Sequence, residues 1–279
     1  MNFEKPKFEQ SKIEEGVKES EKEELKKPEK IEKLFGHCFE IKKFENNDLI
    51  PVGGEHIFSS EADIKIIGDF DSMDKFFQEI HKFSSSVDRK RVKDYLEKQN
   101  LDIDEELFIP LYTITKALEK KLPPPQTEEE RQERERKREE LYKKYKNKEI
   151  KLSRIVNEKI AECAEISALA QYALQKENIS SSYFSGDLLR SKEQEFSEKH
   201  TFIVIRHKGR IYIYDPANPI NTTGGLFPNI NIVEVNFDEE MRKGQKRFVT
   251  AKNILKERGV KDVYYGVNNM TQISAENIL

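Results

Sequence analysis

Tryptophan is missing from the chain and cysteine is nearly so: among 279 residues only Cys38 and Cys163 carry a thiol. Two cysteines cannot build a disulfide framework, and the opening MNFEKPKFEQ lacks the apolar core of a secretory signal. Reduced thiols and a cytoplasmic setting are therefore expected, export without a cleavable signal aside. No apolar run approaches the ~20 residues of a membrane-spanning helix, so no membrane partner is expected. An excess of one charge is absent as well. With 49 basic and 52 acidic residues the net charge is −3, which gives no electrostatic footprint for nucleic acid. The match of Asn221-Thr222-Thr223 to a glycosylation sequon means little without export. His37 and Cys38 adjoin, but no second Cys/His pair stands at ligand spacing, so no metal is expected and Cys38 reads as packing. Gly224-Gly225 lacks the lysine and helix start of a phosphate loop, so no cofactor is expected. His56 and His207 fall at a turn and a hairpin tip and read as facing solvent, and His81 falls on a helix's polar side or partly buried edge.

What is abundant is charge of both signs. Charged and hydrophobic residues each make up 36%, a balance that fits a globular part diluted by solvated segments. Residues 1 to 33 are rich in Glu and Lys with few apolar positions, and read as a disordered tail or frayed helix. From Leu34 the pattern changes. CFEIKKF and ADIKIIGDF predict strands, SMDKFFQEIHKF an amphipathic helix capped by Ser72, and DRKRVKDYLEKQ and EELFIPLYTITKALEKKL two more helices. Residues 34 to 122 thus form a small α+β module of unknown role.

LPPPQ, residues 122 to 126, stops the last of these helices, because consecutive prolines lack amide donors and restrict φ. Thr127 and Glu130 make a capping-box pattern that opens a helix over TEEERQERERKREELYKKYKNK. Its pairs Glu130/Arg134, Glu133/Lys137, Glu139/Lys143 and Glu140/Lys144 stand at i,i+4 spacing. Almost nothing apolar precedes Leu141, so residues 123 to 149 are expected to be a helical linker in water or across the surface.

Residues 150 to 279 carry the more informative pattern. ECAEISALAQYAL predicts a buried helix starting near Cys163 and ending near Lys176-Glu177-Asn178, and YFSG a short strand with a glycine turn. HTFIVIR and RIYIYD flank HKG, a hairpin signal. NIVEVNF reads as a strand, KRFVTAKNILKERG as a helix and KDVYYGV as a last strand, giving an α+β domain.

Chemistry enters through the thiol. In a helix beginning near Cys163, that side chain shares a face with Ser167, Ala170 and Leu174. A helix N-terminus offers unpaired amides and partial positive charge, which favour a thiolate and can hold a developing oxyanion. His200 opens one strand and Asp215 closes the next. A two-residue loop, Lys208-Gly209, would pair Phe202 with Asp215 and leave His200 its same-face diagonal neighbour. A four-residue loop would set His200 directly opposite Asp215, and a three-residue loop would separate their faces. Either even-length loop makes Cys163, His200 and Asp215 a candidate triad, since an aspartate beside an imidazole fixes its tautomer and stabilises the imidazolium. Asn218, in the turn after Asp215, and Tyr212 and Tyr214 read first as structural.

The pieces AECAEISALAQYALQKENI, YFSG and HTFIVIRHKGRIYIYDPANP, in that order, resemble the transglutaminase-like superfamily, whose fold belongs to the papain-like group. The spacings of 37 residues from Cys163 to His200 and 15 from His200 to Asp215 suit its compact members. Ala161-Glu162 stand where relatives often carry glycine, and Thr201-Phe202 where a tryptophan or other large aromatic often follows the histidine. The resemblance implies an α+β, papain-like core with a buried cysteine helix on an antiparallel sheet. It implies Cys163 as nucleophile, His200 as base and acid, and Asp215 as the group that orients the histidine. Asn157, six residues before Cys163, becomes a candidate oxyanion donor, as an amide side chain is in papain-like proteases.

The expected activity is acyl transfer on protein or peptide amides, as a transglutaminase, deamidase or peptidase, with an amine acceptor where a new amide forms. The competing expectation is a non-enzymatic interaction protein with a degenerate fold of this kind, binding a partner through residues 34 to 122 and the charged helix.

Overall fold

A computed structural model describes residues 39–50, 64–98, 101–146, 148–189, 193, 195–196, 198–217, 230–243, 246–253 and 264–266. The expectations for residues 1 to 33, His37, Cys38, His56, Asn218, Asn221 and Gly224-Gly225 lie outside these. The chain is α+β. In order come strands β1 (Phe39–Ile41), β2 (Asp48–Ile50) and β3 (Ile64–Gly68), then helices α1 (Asp74–Ser86), α2 (Arg89–Lys98), α3 (Glu105–Lys121) and α4 (Glu128–Lys144). Strand β4 (Lys148–Lys151) leads into helices α5 (Leu152–Asn157) and α6 (Cys163–Lys176). Strands β5 (Ser181–Leu189), β6 (Glu198–His207), β7 (Arg210–Tyr214), β8 (Ile232–Lys243), β9 (Lys246–Asn253) and β10 (Tyr264–Gly266) follow.

Two sheets organise these strands. β2, β3 and β4 form the smaller one, with β3 and β4 parallel. In the larger, every pairing is antiparallel. β5 bonds β6 along one edge and both β1 and β10 along the other, so β5-β6-β7-β8-β9-β10 close into a ring. Closure leaves a barrel interior on one side of the ring and helices on the other, so both faces can be buried. All nine residues of β5 are buried, as are His200 to Ile205 of β6. Inside, Phe184 stacks on Phe202 with ring centroids 5.3 Å apart, as their cross-strand pairing requires.

On the outer side α6 lies against β5 and β6, α3 against α6, and α1 and α2 against α3. One hydrophobic core runs from Phe44 through α1–α3, α5 and α6 to Tyr214 and Ile232, so the described parts of 34–122 and 150–279 both contribute to it. At its centre Phe70 stacks on Tyr172, centroids 4.2 Å apart and planes 5° from parallel. Among the described residues no helix is long and apolar enough to cross a membrane.

Several sequence expectations change. α1 starts at Asp74 after a 3-10 turn over Phe70–Met73, and its N-cap is Met73 rather than Ser72. YFSG is the middle of a nine-residue strand, with Gly186 inside it opposite His200. KRFVTAKN is strand β9 rather than a helix. Phe248, Val249 and Thr250 are β-formers, and the long partner β8 supplies the ladder that decides the matter. His207 is not at an open tip: it is half-buried, with Nε2 2.9 Å from an Asp104 carboxylate oxygen.

Candidate active site

Cys163 is the first residue of α6. The helix starts there because Glu162 and Glu165 cap each other. The Glu162 side chain accepts from the Glu165 amide, and the Glu162 amide donates to Glu165 Oε2 at 2.9 Å. Ala164, Ala168, Ala170 and Ala173 are all buried, and their small side chains let the helix press onto the sheet. Polar pins fix its height. Ser167 Oγ donates to the Thr201 carbonyl at 3.1 Å, next to His200, and Gln171 Nε2 donates to the Ser181 carbonyl at 2.9 Å.

The hairpin delivers the other two residues. His207 pairs with Arg210 across Lys208 (φ 49°) and Gly209 (φ 76°), a two-residue loop whose two positive φ angles match the strand twist. Pairing then runs to Ile203 opposite Tyr214. Carried one step further, this register sets Asp215 opposite Phe202, a diagonal neighbour of His200 on the same face. His200 Nε2 and Asp215 Oδ2 are 2.8 Å apart, both residues buried. The Asp215 amide donates to the Asn231 carbonyl at 2.9 Å, which anchors the turn from β7.

Cys163 and His200 line the same cleft, and the sulfur is near enough to help hold the proton of the imidazole. With Nε2 engaged by Asp215, Nδ1 is the ring nitrogen left for sulfur. The structure thus brings Cys163, His200 and Asp215 together. Burial works against charge on His200, but the Asp215 carboxylate beside it, its hydrogen bond and the Cys163 contact prevail, and the imidazole is pushed up to about 10. Tyr183 of β5, fully buried, is near Cys163. Burial first, then the nearby Cys163 and Glu165, hold its phenol well above the usual tyrosine value.

Asn157 is not brought in. It ends α5 on the exposed surface, its Oδ1 accepting from Lys121 Nζ at 3.3 Å, and it is not part of the cleft wall. The cleft has a volume of about 430 Å³ and half-buried Cys163 opens into it. Across from Cys163 and His200, its walls are Leu118 and Leu122 at the end of α3, Pro124 and Pro125, and Arg131 and Arg134 of α4.

That wall includes the charged helix, which lies across the surface as one of its two expected forms. Most of its charges point to water, with Glu133–Lys137 at 3.4 Å and Glu139–Lys143 at 3.5 Å as expected at i,i+4. Thr127 caps the Glu130 amide at 3.1 Å, and the Glu130 carboxylate accepts from Gln126, one residue earlier than a reciprocal box. Two residues turn inward: Leu141 and Arg138 are buried. Arg138 donates to Glu165 Oε1 and to the Ile160 carbonyl, each at 2.8 Å, and its Nε lies 3.4 Å from Glu162. Burial opposes its charge, but Glu165 and Glu162 hold its value above the ordinary one, so it stays a guanidinium. Sequence reading missed it. One Arg in a charged run has no periodic signature; only its spacing of three from Leu141 marks an inward face.

Asp104, Glu106 and His207 form a second cluster with metal-ligand chemistry, away from the cleft. Lys208 Nζ lies 2.8 Å from Asp104 and 2.9 Å from Glu106, so an ammonium already balances it. Compared with family models, curated proteins and solved structures, the chain matches none.

Proposed function

We propose that the protein is a cysteine-dependent acyltransferase or hydrolase of amide substrates, with a papain-like, transglutaminase-like arrangement. The observation that carries this reading is one imidazole bound to a buried carboxylate at 2.8 Å and lining the same cleft as the Cys163 thiol. An imidazole raised to about 10 carries its proton at neutral pH, so the resting pair is imidazolium beside sulfur. Sulfur attacks the amide carbonyl carbon as the thiolate, the proton of the pair already residing on His200, and its electron pair forms the S–C bond. Negative charge moves to the carbonyl oxygen, for which the Cys163 and Ala164 amides at the head of α6 are the candidate donors; one such donor is worth about 2.7–4 kcal/mol. His200 gives its proton to the leaving nitrogen, the C–N bond breaks and a thioester remains. Water or an amine then attacks, His200 removes its proton, and sulfur leaves. Asp215 holds the ring in place through both steps.

The test joins Cys163→Ala to intact-mass detection of the acyl-enzyme over a panel of peptide amides, with and without amines. The expected result is a thioester adduct in the parent protein, none in the variant, and closely similar melting of the two. Turnover that survives the substitution would reject the mechanism. A Cys163 inert to every acyl donor would favour the interaction-protein alternative.

A further inference from the structure

We infer that Arg138 is a positioning residue for Cys163, and that through it α4 sets the reactivity of the thiol. This rests on the acyl-transfer reading and adds the device that controls it. The guanidinium grips the chain at two points on either side of Ala161: the Ile160 carbonyl at 2.8 Å and the Glu165 carboxylate at 2.8 Å. That carboxylate is fully buried, and its other oxygen accepts from the Glu162 amide at 2.9 Å. One arginine therefore fixes Ile160 directly and Glu162 through one carboxylate, and Cys163 is the next residue. The planar fork suits this double grip, whereas an ammonium is a single point charge. Arg131 and Arg134 of the same helix line the cleft, so a shift of α4 would alter the wall and the nucleophile together. A displacement of about 1 Å is enough for a rate loss on the order of 10²-fold.

The assay is the rate of iodoacetamide addition to Cys163, read by peptide mass so that Cys38 is scored separately, alongside melting temperature. Arg138→Met is expected to slow addition toward the rate of His200→Ala. Arg138→Lys keeps the charge without the fork, and is expected to fall between Arg138→Met and the parent. Leu141→Ala removes core packing under the same helix while the Arg138 grip on Ile160 and Glu165 stays in place, and is expected to lower the melting temperature while leaving the addition rate at the parent value. Parent-like addition in Arg138→Met overturns the inference, as does an equal slowing in Leu141→Ala. Where Arg138→Met fails to fold, parent-like addition in Arg138→Lys overturns it instead. If His200→Ala reacts as fast as the parent, the acyl-transfer reading fails, and this inference with it.

Discussion

Replacing Asp215 by asparagine removes a charge from a position with no exposure while keeping its size. The pair it belongs to has an unusual pH signature. Burial alone would depress the His200 value, and Asp215 is the leading cause that lifts it from 6.5 to about 10. A folded value above the unfolded one means that the stabilisation is fully present below about 6.5 and is lost as pH rises through about 10. At about 1.4 kcal/mol per pKa unit, the rise corresponds to about 5 kcal/mol. Removing one member of a buried ion pair typically costs about 3–5 kcal/mol, the same scale. Asp215→Asn is therefore expected to lose a few kcal/mol near pH 6 and far less near pH 10. Urea unfolding at steps between those pH values measures it. A Cys163→Ala background keeps His200 and Asp215 together and leaves out the smaller Cys163 contribution to the rise, which brings the upper end of the window below about 10. Stability curves for parent and variant that run parallel across the range would refute the reasoning.

Two further substitutions probe the fold and the site. An alanine methyl at Gly68 would collide with Cε2 of Phe70, whose ring is locked against Tyr172, so Gly68→Ala is expected to destabilise by about 1–3 kcal/mol; an unchanged melting curve would contradict that packing. Asn157→Ala is expected to leave kcat unchanged, because the side chain lies outside the cleft. A loss of about 10²–10³ in kcat would restore Asn157 as the oxyanion donor.

The residues of the site were legible because each depends on local rules. Small residues mark α6, and parity of the hairpin loop decides whether His200 and Asp215 share a face; the Lys208-Gly209 turn realises the shorter alternative. What was hidden depends on partners distant in sequence. Gly186 looks like a turn residue until β6 runs beside it. β9 owes its state to β8. Arg138 resembles its neighbours until the buried Glu165, 27 residues later, is placed next to it. Long-range hydrogen bonding and ion pairing leave little trace in local periodicity, and that is where the reading stopped.

A bond described by neither the sheet nor the cleft adds a mechanical consequence. Tyr214, the residue before Asp215, reaches out of β7 to α3, its hydroxyl 2.7 Å from Thr115 Oγ1, and both side chains are sealed from solvent. This rivet joins the strand that ends at the carboxylate to the helix that ends as the cleft's apolar jaw. Neither can swing without the other, so any widening to admit a bulky chain must come from further along the same wall, at the proline-rich crossing and the start of α4.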